Sequence, residues 1–298
     1  MLKEGDYGRP CNLCNRSSSN IIFNKNGYDL VKCPSCGLVY VGNPPSAAEI
    51  KRLYTYEAGY HIGCKDDSTD LERWFHRAEK YYDLIAYHKT GGRILDIGCG
   101  GGLFLKVAKD HGWETYGVEI SSDTSSHARQ RYGLDVTTGT LEETHFEPRF
   151  FDVVTMWDVI EHMEDPSHAM TIVHGILKDD GIVTISTPNI DGLFPRTSYK
   201  ISSKIKYWPH PEPPHHLFQF SKETISQLLN RTGFEVVDML DEAIQISYSF
   251  GSIKSLIRSP KRLLYASLFI PLALIGPKVK SGDWITVVAR KSSVPLGT

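Results

Sequence analysis

From Arg93 onward, short apolar runs alternate with segments whose apolar residues recur every three or four positions. Ile94–Ile97, Thr115–Val118, Val153–Met156, Ile182–Ile185, Phe234–Val237 and Trp284–Ala289 read as strands. Leu103–His111, stopped by Gly112, and Asp123–Tyr132 read as helices between them. Strands alternating with helices predict an α/β, doubly wound, mostly parallel sheet covered on both faces, with ligands at the carboxyl ends of its strands. Ahead of this pattern, Leu71, Trp74, Phe75, Ala78, Tyr81, Tyr82 and Ile85 fall on one helical face, and Ser46 is placed to cap a short helix over Ala47–Tyr54. The start of the chain, to about Tyr40, reads as short strands and turns, and Gly42-Asn43-Pro44-Pro45-Ser46 breaks that pattern. The chain therefore divides into a small module over 1–45, a helical lid or linker over 46–90, and an α/β domain over 91–298. The stretch 244–280 exceeds an ordinary connection and reads as a helical insertion.

Charge narrows the partners. The 298 residues carry a formal net charge of −2, which argues against a surface built to grip nucleic-acid phosphates. Met1 to Pro10 are polar and charged, so no secretory signal is expected and the chain reads as cytoplasmic. Tyr265–Gly276 is apolar but reads as too short to span a bilayer and is interrupted by Pro271. Lys254, Arg258, Lys261 and Arg262 stand beside Leu263, Leu264, Leu268, Phe269 and Ile270, and two readings stay open. One is a helical insertion packed over the substrate side. The other is a basic, amphipathic element that meets a membrane surface and a lipid-linked acceptor.

Four of the six cysteines form two pairs, Cys11-x-x-Cys14 and Cys33-x-x-Cys36, separated by eighteen residues. That spacing suits a four-cysteine zinc ribbon, with two thiolates on each tight turn. Pro34 and Gly37 favour the second turn. With all four positions filled by protein, the Zn2+ would be structural. Cys64 and Cys99 stand outside these pairs, and Cys99 reads as packing rather than as a nucleophile.

The chemistry concentrates at Asp96-Ile97-Gly98-Cys99-Gly100-Gly101-Gly102. A strand ends on a carboxylate, and glycines turn the chain into a helix whose N-terminal N–H groups suit a polar ligand. The dinucleotide pattern G-x-G-x-x-G fails, because Leu103 stands where its third glycine would be. Glu119 ends the next strand about 20 residues after the loop, where a carboxylate can hold ribose hydroxyls. His162, following the strand that ends at Trp157, is a candidate general base or a helix-capping or cofactor-pocket residue, and Asp158 could orient it.

In order along the chain, this loop, Glu119 in Gly117-Val118-Glu119-Ile120-Ser121, Gly139-Thr140-Leu141-Glu142, Phe151–His162 and Leu177-Lys178-Asp179-Asp180-Gly181 resemble the motifs of class I S-adenosylmethionine-dependent methyltransferases. The resemblance implies a Rossmann-like, seven-stranded sheet and S-adenosyl-L-methionine as cofactor. Asp96, Gly98 and Gly100 would form its loop, Glu119 would hold the ribose, Leu141 would border the adenine and Trp157 would form an apolar wall.

With the ribbon, the Pro-Pro linker and Tyr54, Tyr56 and Tyr60, the chain is similar to the ubiquinone-methyltransferase-like branch. That branch includes zinc-containing sugar methyltransferases and enzymes of polysaccharide clusters. The likeness makes Tyr56 and Tyr60 candidate lid residues, with Tyr60 near the chemistry. Pro213–Ser221 resembles the branch's substrate-facing segment and makes His216 a second candidate base, which Asp158 could also orient. His215 stands where the sugar C-methyltransferases carry Glu, and their further C-terminal domain has no counterpart in these residues.

These readings predict methyl transfer to a small-molecule acceptor, sugar-containing, lipid-linked or a secondary metabolite. The alternative is an RNA methyltransferase using the ribbon for recognition. Against it stand the charge balance and Trp157-Asp158-Val159-Ile160, which occupies the place of the Asn/Asp-Pro-Pro-Tyr signature. A non-catalytic scaffold is disfavoured by the intact loop and Glu119.

Overall fold

The computed structural model describes residues 4–5, 9–17, 19–54, 68–205, 208, 211–244, 246–250 and 256–292. Tyr56, Tyr60, Cys64 and Lys254 lie outside them.

Seven strands make one mostly parallel sheet: β5 (Arg93–Ile97), β6 (Glu114–Glu119), β7 (Asp135–Thr138), β8 (Phe151–Trp157), β9 (Leu177–Pro188), β11 (Phe234–Glu242) and β12 (Trp284–Lys291). Their order is β11-β12-β9-β8-β5-β6-β7. β5 lies parallel to β6 on one side and to β8 on the other, with Asp96 opposite Gly117 and Thr155. The chain thus leaves β5 toward β6 and β7 and returns on the opposite side to β8. Sheets of this kind bind ligands at such a switch. Helices cover the strands, so these run almost wholly apolar: Ile94, Leu95, Val153, Val154 and Met156 are fully buried.

The chain packs as two compact units. The first comprises Pro45–Ile185, Leu229–Val237 and Val288–Thr298. Its helix α1 (Ala47–Leu53) begins with a complete capping box: Ser46 caps Glu49 N–H, and the Glu49 carboxylate accepts from Ser46 N at 2.9 Å. Helix α2 (Ser68–His88) sends Ala78, Tyr81 and Ile85 into a core shared with Ile94, Phe104, Leu105 and Val107. Phe104 to Val107 belong to α3 (Leu103–Asp110), and α4 (Ser122–Tyr132) and α5 (Pro166–Ile176) complete this unit's principal helices. α5 passes into β9 through a close turn at Leu177–Gly181, where a Cβ on Gly181 would lie 3.0 Å from Lys178 O, and Lys178 Nζ donates to both oxygens of Asp152 at 2.8 Å. Residues 46–54 and 68–90 group with this unit.

The second unit comprises Met1–Pro44, Ser186–Leu228 and Asp238–Val287. An antiparallel sheet is built here from β1 (Glu4–Gly5), β2 (Ser19–Lys25), β3 (Tyr28–Lys32), β4 (Val39–Val41) and β10 (Phe218–Gln219). β10 pairs with β4 through Phe218 opposite Tyr40, so a segment from late in the chain closes the N-terminal module. Leu30, Val39, Val41, Ile190 and Trp208 form its core, with Phe23 edge-on to Trp208 at 5.6 Å. Helices α6 (Leu193–Ile205), α7 (Lys222–Arg231), α8 (Ile246–Phe250) and α9 (Pro260–Ile275) follow. Pro271 lies inside α9 without ending it. With the short turn after it, the helix Pro260–Val279 is long and apolar enough, by length and composition, to cross a membrane. That corrects the expectation drawn from Tyr265–Gly276.

Candidate active site

The carboxyl ends of β5, β6 and β8 meet within the first unit, and the predicted loop residues meet with them. Gly98 has φ of 69°, and a Cβ there would lie 2.5 Å from Val159 Cγ2, so only glycine fits. Its N–H donates to Val118 O at 2.7 Å. Gly100 N–H donates to Glu119 Oε2 at 2.9 Å, while Ser121 N–H donates to Oε1 at 2.8 Å. Glu119 is 1% exposed. A carboxylate offers about four acceptor positions, so capacity remains for a further hydroxyl or N–H donor. Burial raises the Glu119 pKa, and the Ser121, Gly100 and Ile120 N–H groups oppose that rise.

Asp96 is 2% exposed and takes a hydrogen bond from Thr155 Oγ1 at 2.7 Å. Burial pushes its carboxyl up to about 8; Thr155 counteracts this and the Glu119 charge adds to it. A buried carboxyl so poised ionises readily only when a cation arrives beside it. Leu141 is buried just after Gly139, whose N–H donates to Glu119 O at 2.9 Å. Cys99 is buried, and a Cβ at Gly117 would come 2.8 Å from its sulfur. Burial raises its thiol pKa, so Cys99 packs rather than attacks.

The segment after β8 is tied to α2. Trp157 stacks on Tyr81 with centroids 3.8 Å apart, and Phe104 meets its edge at 5.2 Å. Trp157 Nε1 is buried with no acceptor among the described residues, an orphan donor of the kind a ligand can satisfy. Asp158 holds a left-handed backbone at φ 60°, a costly geometry for a residue with a Cβ. Arg77 Nη2 grips its carboxylate at 2.7 Å, and Arg77 Nε donates to Tyr81 Oη at 2.8 Å. Burial works against the Arg77 charge, but Asp158 and Tyr81 outweigh it and raise its pKa. Arg77 therefore locks the strand end to the helix beside it.

His162 closes the short 3-10 turn Ile160–His162 and faces Tyr54 edge-on, with ring centroids 6.0 Å apart. Burial, with the carboxylates of Glu161 and Glu119, holds the Tyr54 hydroxyl well above the ordinary phenol range. Tyr54, Arg77 and Glu161 were not singled out from sequence as site residues. For Arg77 a signal existed: it is a charge on the apolar α2 face that carries Trp74, Ala78 and Tyr81. His216 belongs to the second unit, half-buried, with its backbone N–H donating to Glu212 O at 3.0 Å. His215 is exposed.

The four cysteines converge in the second unit. Cys11 Sγ lies 3.5 Å from Cys36 Sγ, Cys14 Sγ lies 3.5 Å from Cys33 Sγ, and all four sulfurs fall within 4.8 Å of one another. A tetrahedral zinc with bonds of about 2.3 Å requires sulfur–sulfur edges of about 3.8 Å, so the set fits that ion. The two turns are built alike. Asn15 N–H returns to Cys11 O at 2.8 Å and Gly37 N–H to Cys33 O at 3.0 Å, with φ of 57° and 81° at the returning residues. Leu13 and Cys14 N–H groups face the Cys11 sulfur, and Ser35 and Cys36 N–H groups face that of Cys33, donors that favour thiolate.

Known proteins match the same region. The methyltransferase domain family matches residues 64–239, more than half of the chain. A "Probable S-adenosylmethionine-dependent methyltransferase" of Mycolicibacterium smegmatis is 29% identical over 171 residues, 56% of this chain and 61% of that protein. A ubiquinone biosynthesis O-methyltransferase of Paraburkholderia phymatum is 34% identical over 116 residues, 37% of this chain and 50% of that one. The chain thus spans less than two thirds of either relative. A solved structure of the Haemonchus contortus phosphoethanolamine N-methyltransferase 2, in complex with S-adenosyl-L-methionine, superposes with a TM-score of 0.53 at 19% identity. It covers 86% of this chain and 62% of that one, and the likeness is one of fold.

Proposed function

Because the chain belongs to the methyltransferase domain family, we propose that it is an S-adenosylmethionine-dependent methyltransferase whose acceptor is a small molecule bearing a nucleophilic oxygen, nitrogen or carbon. The observation that carries the reading is Glu119, buried between the Gly100 and Ser121 N–H groups with acceptor capacity to spare. Such a carboxylate suits the two hydroxyls of a ribose. Asp96 suits the cationic amino-acid end of the same nucleoside. Leu141 would border the adenine, and Trp157 Nε1 offers a donor nearby in the chain's own site.

When bound, the cofactor supplies a methyl already activated by its sulfonium, so the protein's work is positioning and proton removal. A histidine takes the acceptor's proton. His162, beside Tyr54 at the end of β8, and His216 are the two candidates, and Arg77 holds the strand end that carries the first. The likeness to a ubiquinone biosynthesis O-methyltransferase supports a small acceptor. A sugar-containing, lipid-linked or secondary-metabolite molecule falls within that class.

Labelled methyl cofactor with a panel of phenolic, amine and sugar-containing acceptors, alongside RNA, tests the reading. Label should enter a small molecule; label in RNA alone would contradict it. The base variant, His162→Ala or His216→Ala, should lower kcat by about a hundredfold or more and lose the acid limb of the pH profile, with cofactor affinity kept.

We also propose a structural zinc on Cys11, Cys14, Cys33 and Cys36. Elemental analysis should find one zinc per chain, and Cys33→Ser should lose it together with several kcal/mol of stability, because structural zinc binding is coupled to folding.

A further inference from the structure

Helix α9 is apolar on the side that faces away from the protein. Leu263, Leu264, Leu268, Leu274 and Ile275 are each 46–71% exposed. At about 100° per residue they fall within one arc of about 140°, and Pro260, Ser267 and Pro271 are the other residues in it. A stripe of this breadth on a soluble protein marks a surface that something covers. The opposite side is committed to protein. Ala266, Phe269 and Ala273 are fully buried with Phe194, Ile244 and Phe250, and Phe269 packs against Tyr265 with centroids 4.5 Å apart.

Charge says what covers it. Between Glu242 and Asp283 there is no acidic residue, while Lys254, Arg258, Lys261, Arg262, Lys278 and Lys280 are basic, in a chain whose net charge is −2. Arg258, Lys261 and Arg262 are exposed at the start of the helix, and Lys278 and Lys280 just beyond its end. A second copy of this chain would bring the same positive ends against one another. An anionic bilayer offers acyl chains to the leucines and phosphate groups to the basic ends.

We propose that the outer face of α9 docks in the plane of an anionic lipid surface. The helix has the length to span, but its Ala266–Phe269–Ala273 stripe is already packed on protein. A spanning helix would have to give up that packing. An in-plane helix keeps it and buries only the leucine side. This inference is independent of the acceptor's identity and of cofactor binding.

The test is flotation of the full chain with vesicles of phosphatidylcholine alone and of phosphatidylcholine with phosphatidylglycerol. The chain should float with the anionic vesicles, less with the neutral ones, and less again in raised salt. Leu264→Glu with Leu268→Glu should abolish flotation. Lys261→Glu with Arg262→Glu should lower partitioning by roughly thirtyfold. Both variants should bind S-adenosylhomocysteine as the parent does, which certifies their fold. Failure of the parent to float with anionic vesicles would overturn the proposal, as would undiminished flotation of the double glutamate variant. A dimer in size exclusion that the leucine changes convert to monomer, without flotation of either form, would assign the face to a second copy instead.

Discussion

Two regions of this chain break the usual sorting of side chains, in opposite directions. At the ends of β5 and β6, Asp96 and Glu119 are carboxylates almost wholly removed from water. On the outer side of α9, leucines stand in water. Ordinary folding explains neither, since burying a carboxyl is costly and exposing a broad apolar stripe leaves hydrophobic surface unused. The strand-end carboxylates are held by Gly100, Ser121 and Thr155, and in the proposed reading their burial serves a ligand with hydroxyls and positive charge. The outer leucines are exposed among the described residues, and a lipid surface is their proposed cover. In the proposed readings each region takes the partner whose chemistry it lacks.

The largest expected effect breaks the first region. Gly98→Val would place a side chain where Val159 already stands, on a backbone that favours glycine, and should cost about 3 kcal/mol of stability together with cofactor binding. Chemical denaturation followed by calorimetry checks both. Glu119→Ala should leave the fold intact and weaken S-adenosylhomocysteine binding by about 1–3 kcal/mol, the worth of hydrogen bonds to a charged group.

Asp96 sharpens the comparison through pH. With its carboxyl near 8 in the folded chain, it is mostly protonated at neutrality, and a cationic ligand favours the ionised form. Binding should therefore release a proton, and affinity should rise about tenfold from pH 6 to pH 7.5, a gain that Asp96→Asn removes. The sign for stability runs the other way. Because the folded value exceeds the unfolded one of about 4, the ligand-free chain loses stability as pH climbs between those values. Thermal midpoints across that range, with and without Asp96→Asn, read this directly. The smallest effect belongs to α9. Leu264→Glu with Leu268→Glu should shift stability by less than about 0.5 kcal/mol, since both side chains already face solvent, and calorimetry should find cofactor affinity unchanged.

The parts legible in the sequence are those whose physics is local. The glycine turn, Glu119 about 20 residues on, the Ser46 capping box and the paired cysteine turns each depend on near neighbours. The strands and helices around them fall within a few residues of the observed spans. Arrangements made across long separations were not legible. β10 is two residues long, carries no periodicity, and gains its strand character from pairing with Tyr40 far earlier in the chain. The grip of Arg77 on Asp158, and the proximity of Tyr54 to Glu119 and Glu161, depend on where helices land. Pro271 misled for a related reason. A proline removes one helical hydrogen bond and so suggests a stop, yet α9 runs through it on packing that Ala266, Phe269 and Ala273 supply from one side.

The claim on which the rest depends is that Glu119 holds a nucleoside's ribose beside the Gly98–Gly100 turn. Diffraction from crystals grown with S-adenosylhomocysteine measures this most directly. Both ribose hydroxyls should lie on the Glu119 carboxylate, with the amino-acid end near Asp96. A nucleoside bound elsewhere, or a Glu119 that still contacts only Gly100 and Ser121, would contradict it.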